Sequence, residues 1–272
     1  MSSQRAGGSQ RNWDSRVSQS QRSEGSQKSR AEDYSEEQLE IAVTNVTAFL
    51  LCELRSKRRL KKEDVVTNAL NKSSRQYAVI MKRVKQNLSD VFGLEIAKIP
   101  DSDDAFIIIN KHRERFFKLT QQLTTEAEIQ DNMVLTVSLA SIFMNRGQLY
   151  ESHLMAILET IGFLSDKFYG PACEKKMKEH VTKLVKNVFV KQMYLDAHVI
   201  PRPDQKQNPP LPETTDKVTV LRWGYRTYLE VDVDRIVQYL EKIHDGKKPP
   251  AFPFTHYTEI KTRQATLQTQ LQ

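Results

Sequence analysis

Long uncharged apolar runs are missing from this chain of 272 residues, and no stretch approaches the roughly 18 to 20 residues needed to cross a bilayer. The first residues are Ser, Gln and Arg rather than an apolar leader, so neither secretion nor membrane spanning is expected. Cysteine is equally scarce. Cys52 falls in a helical apolar pattern and Cys173 in a Gly-Pro-flanked turn, which excludes a disulfide framework and suits a reducing compartment. Nine glycines form no phosphate-binding loop and no GxSxG elbow. Six histidines, at 112, 153, 180, 198, 244 and 256, make no HExxH, and no Cys lies within metal-ligand spacing of one. Carboxylate pairs such as Asp103-Asp104 sit in turns, where solvation explains them. No metal, cofactor or catalytic group is expected, and a binding protein is.

What is present is charge and helical periodicity. Lys and Arg number 41 against 34 Asp and Glu, a formal +7 that suits a polyanionic partner. Residues 1–34 are Ser, Gln, Arg and Gly with almost no aliphatic side chains, too little apolar surface to offset the entropy of ordering, so a disordered arm is expected. From Ser35 the composition changes. Leu39, Val43, Val46, Phe49, Leu50 and Leu54 recur at three- and four-residue steps behind a Ser35 cap, predicting a helix to about Arg55. A basic octamer, 55–62, leads to a short helix around Glu63–Leu70. A third starts near Ser74 and carries Tyr77, Ile80, Met81, Val84, Leu88 and Val91 on one stripe up to Gly93. Strand-like Leu94–Ile99 and Ala105–Asn110 follow, with turn residues between.

Three helices and a two-stranded ribbon describe a winged helix, and the order returns further on. Asn132–Arg146 is an apolar helix, Glu151–Ile161 a second, and a third lies within Glu174–Gln192. Strand-like Tyr194–Ile200 and Val218–Trp223 flank a Pro-rich loop, read either as a polyproline II ligand or as a long loop tip. A helix with Val233, Ile236, Val237, Leu240 and Ile243 at core spacing closes the chain near Gly246. The expectation is a mainly α (α+β) protein: an arm at 1–34, a first winged helix at 35–120, a linker at 121–130, a second winged helix with its C-terminal helix at 131–260, and a disordered tail at 261–272.

Particular residues then carry a resemblance. Val91-Phe-Gly-Leu-Glu-Ile96 with Ile109-Asn-Lys111, Leu139-Ala-Ser-Ile-Phe-Met144, Leu158-Glu-Thr-Ile-Gly-Phe163, Phe189-Val-Lys-Gln-Met-Tyr-Leu195 with Ile200-Pro201, and Trp223-Gly-Tyr-Arg226 resemble successive blocks of the MAGE homology domain, in order, over roughly residues 36–260. The family has two winged helices, in agreement with the pattern. Within it, Lys183-Leu-Val185 with Phe189-Val190 and Tyr194-Leu195 is most similar to the branch that serves in the SMC five/six genome-maintenance complex. Two departures are Tyr225, where the family usually has proline, and a stretched second wing. The resemblance implies a nuclear, chromatin-associated adaptor with no enzymatic activity. Its implied partners are a kleisin subunit, a RING-type ubiquitin-ligase subunit docking mainly on the first winged helix, duplex DNA and, indirectly, the SMC heads. A MAGE-type adaptor that stimulates a ubiquitin ligase without touching DNA is the alternative.

Three surfaces are candidates. On the third helix, steps of about 100° per residue place Arg75, Val79, Lys82 and Gln86 together opposite the apolar stripe, with Lys85 beside them. With Lys98 and Lys111 on the wing and Lys57, Arg58 and Arg59 in the octamer, this face suits backbone phosphates, or is an ordinary solvated face. The octamer also reads as a nuclear-import signal or a solvated connection. In the second winged helix, Leu139, Phe143, Leu154, Leu158, Tyr194, Trp223 and Val237 are either core or the lining of a groove for an amphipathic partner helix, with Leu158 and Val237 placed near that groove. In the arm, all five glutamines follow a serine (Ser3, Ser9, Ser18, Ser20, Ser26), the acceptor pattern of DNA-damage checkpoint kinases or a slipped low-complexity repeat.

Overall fold

The computed structural model describes residues 34–100, 102–110, 124–164, 174–203 and 216–271, all within one compact unit that begins at Tyr34. The arm with its five Ser-Gln sites, Lys111, Cys173 and the Pro209–Pro212 run lie outside the described residues.

Helix α1, Glu36–Glu53, begins where Ser35 and Gln38 exchange side-chain-to-backbone hydrogen bonds, a capping box that satisfies two of the donors a helix start leaves open. Then follow β1 (Leu60–Lys61), α2 (Lys62–Asn68), α3 (Tyr77–Phe92), β2 (Leu94–Lys98) and β3 (Ala105–Asn110). The strands form an antiparallel sheet in the order β1-β3-β2. Two-residue β1 pairs Leu60 with Phe106 and is too short to leave a periodic signal. Helix α3 starts at Tyr77 rather than Ser74, because Gln76 turns left-handed at φ 51°. Arg75 therefore sits in the preceding turn and not on the helix face.

The second half repeats this order. Helix α4 (Glu126–Met144) is opened by a Thr125–Glu128 capping box, so it begins inside the stretch expected to be linker. Strand β4 (Gln148–Tyr150) and α5 (Glu151–Ile161) come next. Helix α6 (Glu174–Lys183) runs through a π-helical turn at Leu184–Val188 into a last α-helical turn, Phe189–Lys191. Strands β5 (Leu195–Pro201) and β6 (Lys217–Trp223) complete a sheet in the order β4-β6-β5, the topology of the first half.

Beyond the second wing stand α7 (Tyr225–Glu230), α8 (Val233–Ile243) and α9 (Phe254–Leu271). The last corrects the expectation of a disordered tail from 261. Ile260, Gln264 and Leu267 are buried at steps of four and three. Gln264 donates to the carbonyls of Val231 (2.6 Å) and Tyr228 (3.3 Å) and accepts from the Val233 N–H (3.4 Å), tying α9 across the joint between α7 and α8. A stripe of so few apolar residues in a Thr- and Gln-rich sequence does not read as a core helix.

Each half has its own core, and a third cluster joins them. Phe106 and Ile108 of β3 pack toward α1 and α3, while Ala105, Ile107 and Ile109 pack with Ala97 and Ile99 against Met193, Tyr225, Leu229 and Leu271. The first sheet is thus covered on both faces, which is why β3 is a continuous apolar run instead of an alternating one.

Candidate functional site

Arg226 stands at the joint between the halves, 1% exposed. The turn that places it wraps over Met193 and Tyr194. Gly224 N–H and Thr227 Oγ1 both donate to the Tyr194 carbonyl, and Arg226 N–H donates to that of Met193. A Cβ at Gly224 would lie 2.2 Å from the Met193 carbonyl oxygen, so only glycine fits. Tyr225 is the first residue of α7, a position that suits proline, and the turn's bonds come from its neighbours, so tyrosine leaves the turn intact.

From there the guanidinium reaches both halves. Nε donates to the Gln192 carbonyl (2.8 Å), Nη1 to the Ile108 carbonyl (2.8 Å) and to Glu230 Oε1 (2.7 Å), and Nη2 to the Lys57 carbonyl (2.9 Å). The Tyr194 hydroxyl donates to Glu230 Oε2 at 2.6 Å, and the Lys57 ammonium donates to that hydroxyl at 3.3 Å. A buried charge is tolerated when its donors are used in this way.

This geometry reassigns part of the basic octamer. Lys57 is drawn into the joint, and Arg58 is paired with Glu53 (2.8 Å) and Asp64 (3.5 Å). An import peptide must be bound extended, whereas these two residues are held in a folded loop. Arg59, Lys82, Lys85, Gln86 and Lys98 are exposed, with Gln86 bonded to Asp90 at 3.0 Å. The first winged helix thus offers fewer open cations than its sequence suggests.

The second offers a set that sequence reasoning missed. On α6 and its extension, Glu179, Lys183, Asn187 and Lys191 are exposed at steps of four. The wider π turn offsets the roughly 40° by which such positions drift on an α-helix, and so keeps them in one row. Lys178 and Lys186 flank the row and are paired with Glu159 (3.9 Å) and Glu151 (2.7 Å). The alternation of Lys with apolar residues in 183–191 was the available signal.

A groove of about 760 Å³ runs between α4 and α8. Its α4 wall carries Ile129 and Met133, 47% and 41% exposed, and its α8 wall carries Arg235, Ile236 and Tyr239. Of the seven residues proposed for a partner groove, Leu139 and Tyr194 contribute to its lining. Phe143, Leu154, Leu158, Trp223 and Val237 lie in the core beneath. Leu154 and Leu158 are the inward face of α5, and Trp223 donates its indole N–H to the Leu139 carbonyl at 3.0 Å, holding α4 on the sheet. Helical spacing identified the apolar residues of this half without showing which of them a neighbour covers.

Among the described residues no group of three His, Cys, Asp or Glu side chains could hold a metal ion. No described helix is long and apolar enough to cross a membrane.

Two winged helices of identical strand order, clamped by one buried arginine and carrying a helix-lined groove on the second, define a tandem winged-helix binding protein. The MAGE homology domain model matches residues 46–234, and the chain belongs to that family. Its relatives include the mouse and human proteins named non-structural maintenance of chromosomes element 3 homolog. Each is 25% identical, over 82% of this chain and 73% of the mouse protein, and over 80% of this chain and 66% of the human one. Human melanoma-associated antigen D2 is 25% identical over 81% of this chain and 33% of its own length. A chain of a solved structure titled "Nse1-Nse3-Nse4 complex" shares the fold, with a TM-score of 0.61 at 22% identity, over 86% of this chain and all of that one.

Proposed function

We propose that this protein is the MAGE-type subunit of an SMC five/six genome-maintenance complex in the nucleus. It joins a kleisin subunit to a RING-type ubiquitin-ligase subunit, touches the SMC heads only through them, and adds sequence-nonspecific binding of duplex DNA. The observation that carries the reading is the α4/α8 groove. Ile129 and Met133, exposed on one wall and facing Tyr239 on the other, are costly to leave in water, and an amphipathic helix with anchors at i, i+3 and i+4 would cover them. Full burial of such a side chain from full exposure is worth about 1.5–3 kcal/mol, and since Ile129 and Met133 are already more than half covered, a partner adds roughly half of that for each. The kleisin is assigned to this groove because the element 3 homologs are among the relatives and the shared fold occurs in a three-subunit assembly. The RING subunit is assigned to the first winged helix.

Met133→Asp together with Tyr239→Asp is expected to abolish kleisin pull-down while leaving thermal unfolding near wild type, because Met133 is exposed and Tyr239 only partly buried. Retention of kleisin would refute the groove. These positions are better probes than Leu158 and Val237, whose substitution disrupts the core.

For DNA, the Lys183–Asn187–Lys191 row joins the Lys82–Lys85 face as the binding surface. Cations there would displace counterions from phosphates, and removing one cation that pairs with a phosphate lowers the salt slope of binding by about 0.9. The internal engagement of Lys57 and Arg58 favours the second reading, a ligase-stimulating adaptor without DNA affinity. A salt titration on a 30-base-pair duplex with Lys183→Glu/Lys191→Glu and with Lys82→Glu/Lys85→Glu separates the two. Wild-type protein that shows no salt-dependent binding selects the adaptor, and binding whose slope neither variant changes refutes these lysines as the phosphate contacts.

A further inference from the structure

The groove and the joint between the winged helices share residues. Tyr194 and Glu230 line the groove, and both belong to the polar cluster that holds the first half. The path between them is short. Glu230 accepts from the Tyr194 hydroxyl on one oxygen and from Arg226 on the other. Arg226 donates onward to the carbonyls of Lys57 and Ile108 in the first winged helix. The Lys57 ammonium returns to the Tyr194 hydroxyl at 3.3 Å and lies 5.5 Å from the centre of its ring. Lys57 itself is left-handed, at φ 51°, a conformation that costs a lysine energy and persists where its surroundings hold it.

We propose that Lys57, Tyr194, Glu230 and Arg226 form a relay that makes the seating of the first winged helix, and of its basic loop 55–61, depend on what fills the α4/α8 groove. This regulatory role rests on the groove being a partner site. With the groove open, water can still reach the edge of the Glu230 carboxylate, 8% exposed on the groove floor, whereas Tyr194 is already buried at 2%. An apolar helix face laid across the groove removes that water, and hydrogen bonds strengthen in the drier surroundings. Groove occupancy therefore tightens the hold on Lys57 and Ile108. Seating and groove binding are coupled, so loosening the relay at Lys57 is expected to weaken the groove's affinity for its partner, by about tenfold for a coupling of ordinary size.

Two independent measurements on the full chain test the relay. In amide hydrogen exchange without partner, Tyr194→Phe keeps the ring but loses the hydroxyl, and Glu230→Gln keeps the shape but loses the charge. Each is expected to speed exchange at residues 56–61 about tenfold, while Tyr239→Phe, on the groove wall outside the relay, leaves it unchanged. In titrations with recombinant kleisin subunit, Lys57→Met is expected to weaken binding about tenfold and Arg59→Met to leave it unaltered. Wild-type exchange at 56–61 in both Tyr194→Phe and Glu230→Gln overturns the relay, as does an unchanged kleisin affinity in Lys57→Met. Kleisin that binds no variant and not the wild type overturns instead the partner assignment of the groove, a failure distinguishable because the exchange comparison uses no partner.

Discussion

Replacing Arg226 by methionine removes the clamp while filling most of its volume, and the structure sets the cost. Four hydrogen bonds of 2.7 to 2.9 Å disappear. Three carbonyls, of Gln192, Ile108 and Lys57, lose their guanidinium donor, and the Glu230 carboxylate, 8% exposed, loses the guanidinium 2.7 Å away. Removing one partner of a buried ion pair costs about 3–5 kcal/mol because the remaining charge stays desolvated. Against a total stability of roughly 5–15 kcal/mol this is a large fraction. For a folded unit of this size each kcal/mol corresponds to about 2–4 °C, so Tm is expected to fall by roughly 6–20 °C. Thermal unfolding followed by circular dichroism measures it, and a double-mutant cycle apportions it. Arg226→Met/Glu230→Met is expected to be more stable than Arg226→Met alone, because the second change removes the buried carboxylate whose guanidinium is gone. A drop under about 2 °C in the single variant, or a double variant less stable than the single, would refute the clamp.

Three further outcomes are expected. Gly224→Ala places a methyl against the Met193 carbonyl, backbone that cannot swing aside, and should lower the urea midpoint by an amount comparable to loss of the clamp. The Asp234 carboxyl is held below its usual range first by the Lys261 ammonium (2.7 Å) and then by the Tyr257 hydroxyl (2.7 Å), which bind α9 to α8. A lowered carboxylate contributes stability above its unfolded pKa of about 4 and loses it as pH falls through the folded value. Because the pair is solvent-accessible the contribution is below about 1 kcal/mol. The stability difference between Asp234→Asn and wild type in urea unfolding should therefore be full at pH 7 and shrink as pH falls below about 4, and a difference that does not shrink would contradict the assignment. In the arm, mass spectrometry after DNA damage is expected to find phosphate on Ser3, Ser9, Ser18, Ser20 or Ser26. With six basic and four acidic residues there, five phosphates of about −1.5 to −2 each would reverse its sign. Unmodified serines would remove the idea.

Much of the fold could be read directly. The Ser35 cap and the stripes of α1 and α3 announce themselves because capping and amphipathicity are local, and the repeated order of helices and strands identifies both winged helices. The family blocks fall in the same order, and the matched region, 46–234, contains all of them. Short elements were not legible in the same way. β1 and β4 exist through their pairing with β3 and β6, and α9 through Gln264, whose amide bonds to carbonyls more than thirty residues away.

By itself the sequence determined the periodic elements, their order and the family, since each of these is written in spacings of a few residues. Tertiary structure alone decided which apolar side chains are floor and which are foundation. Leu139 and Leu158 look equivalent on helical wheels, yet only the first meets the groove, because a wheel shows a face and not what covers it. It also decided the fate of the charges. Arg226, in a Trp-Gly-Tyr-Arg block whose chemistry the sequence leaves silent, becomes the joint of the molecule by meeting carbonyls 118 and 169 residues away. Lys57, a surface cation by composition, is turned inward to meet it, because a buried carbonyl and a buried carboxylate must each find a donor wherever the chain brings one.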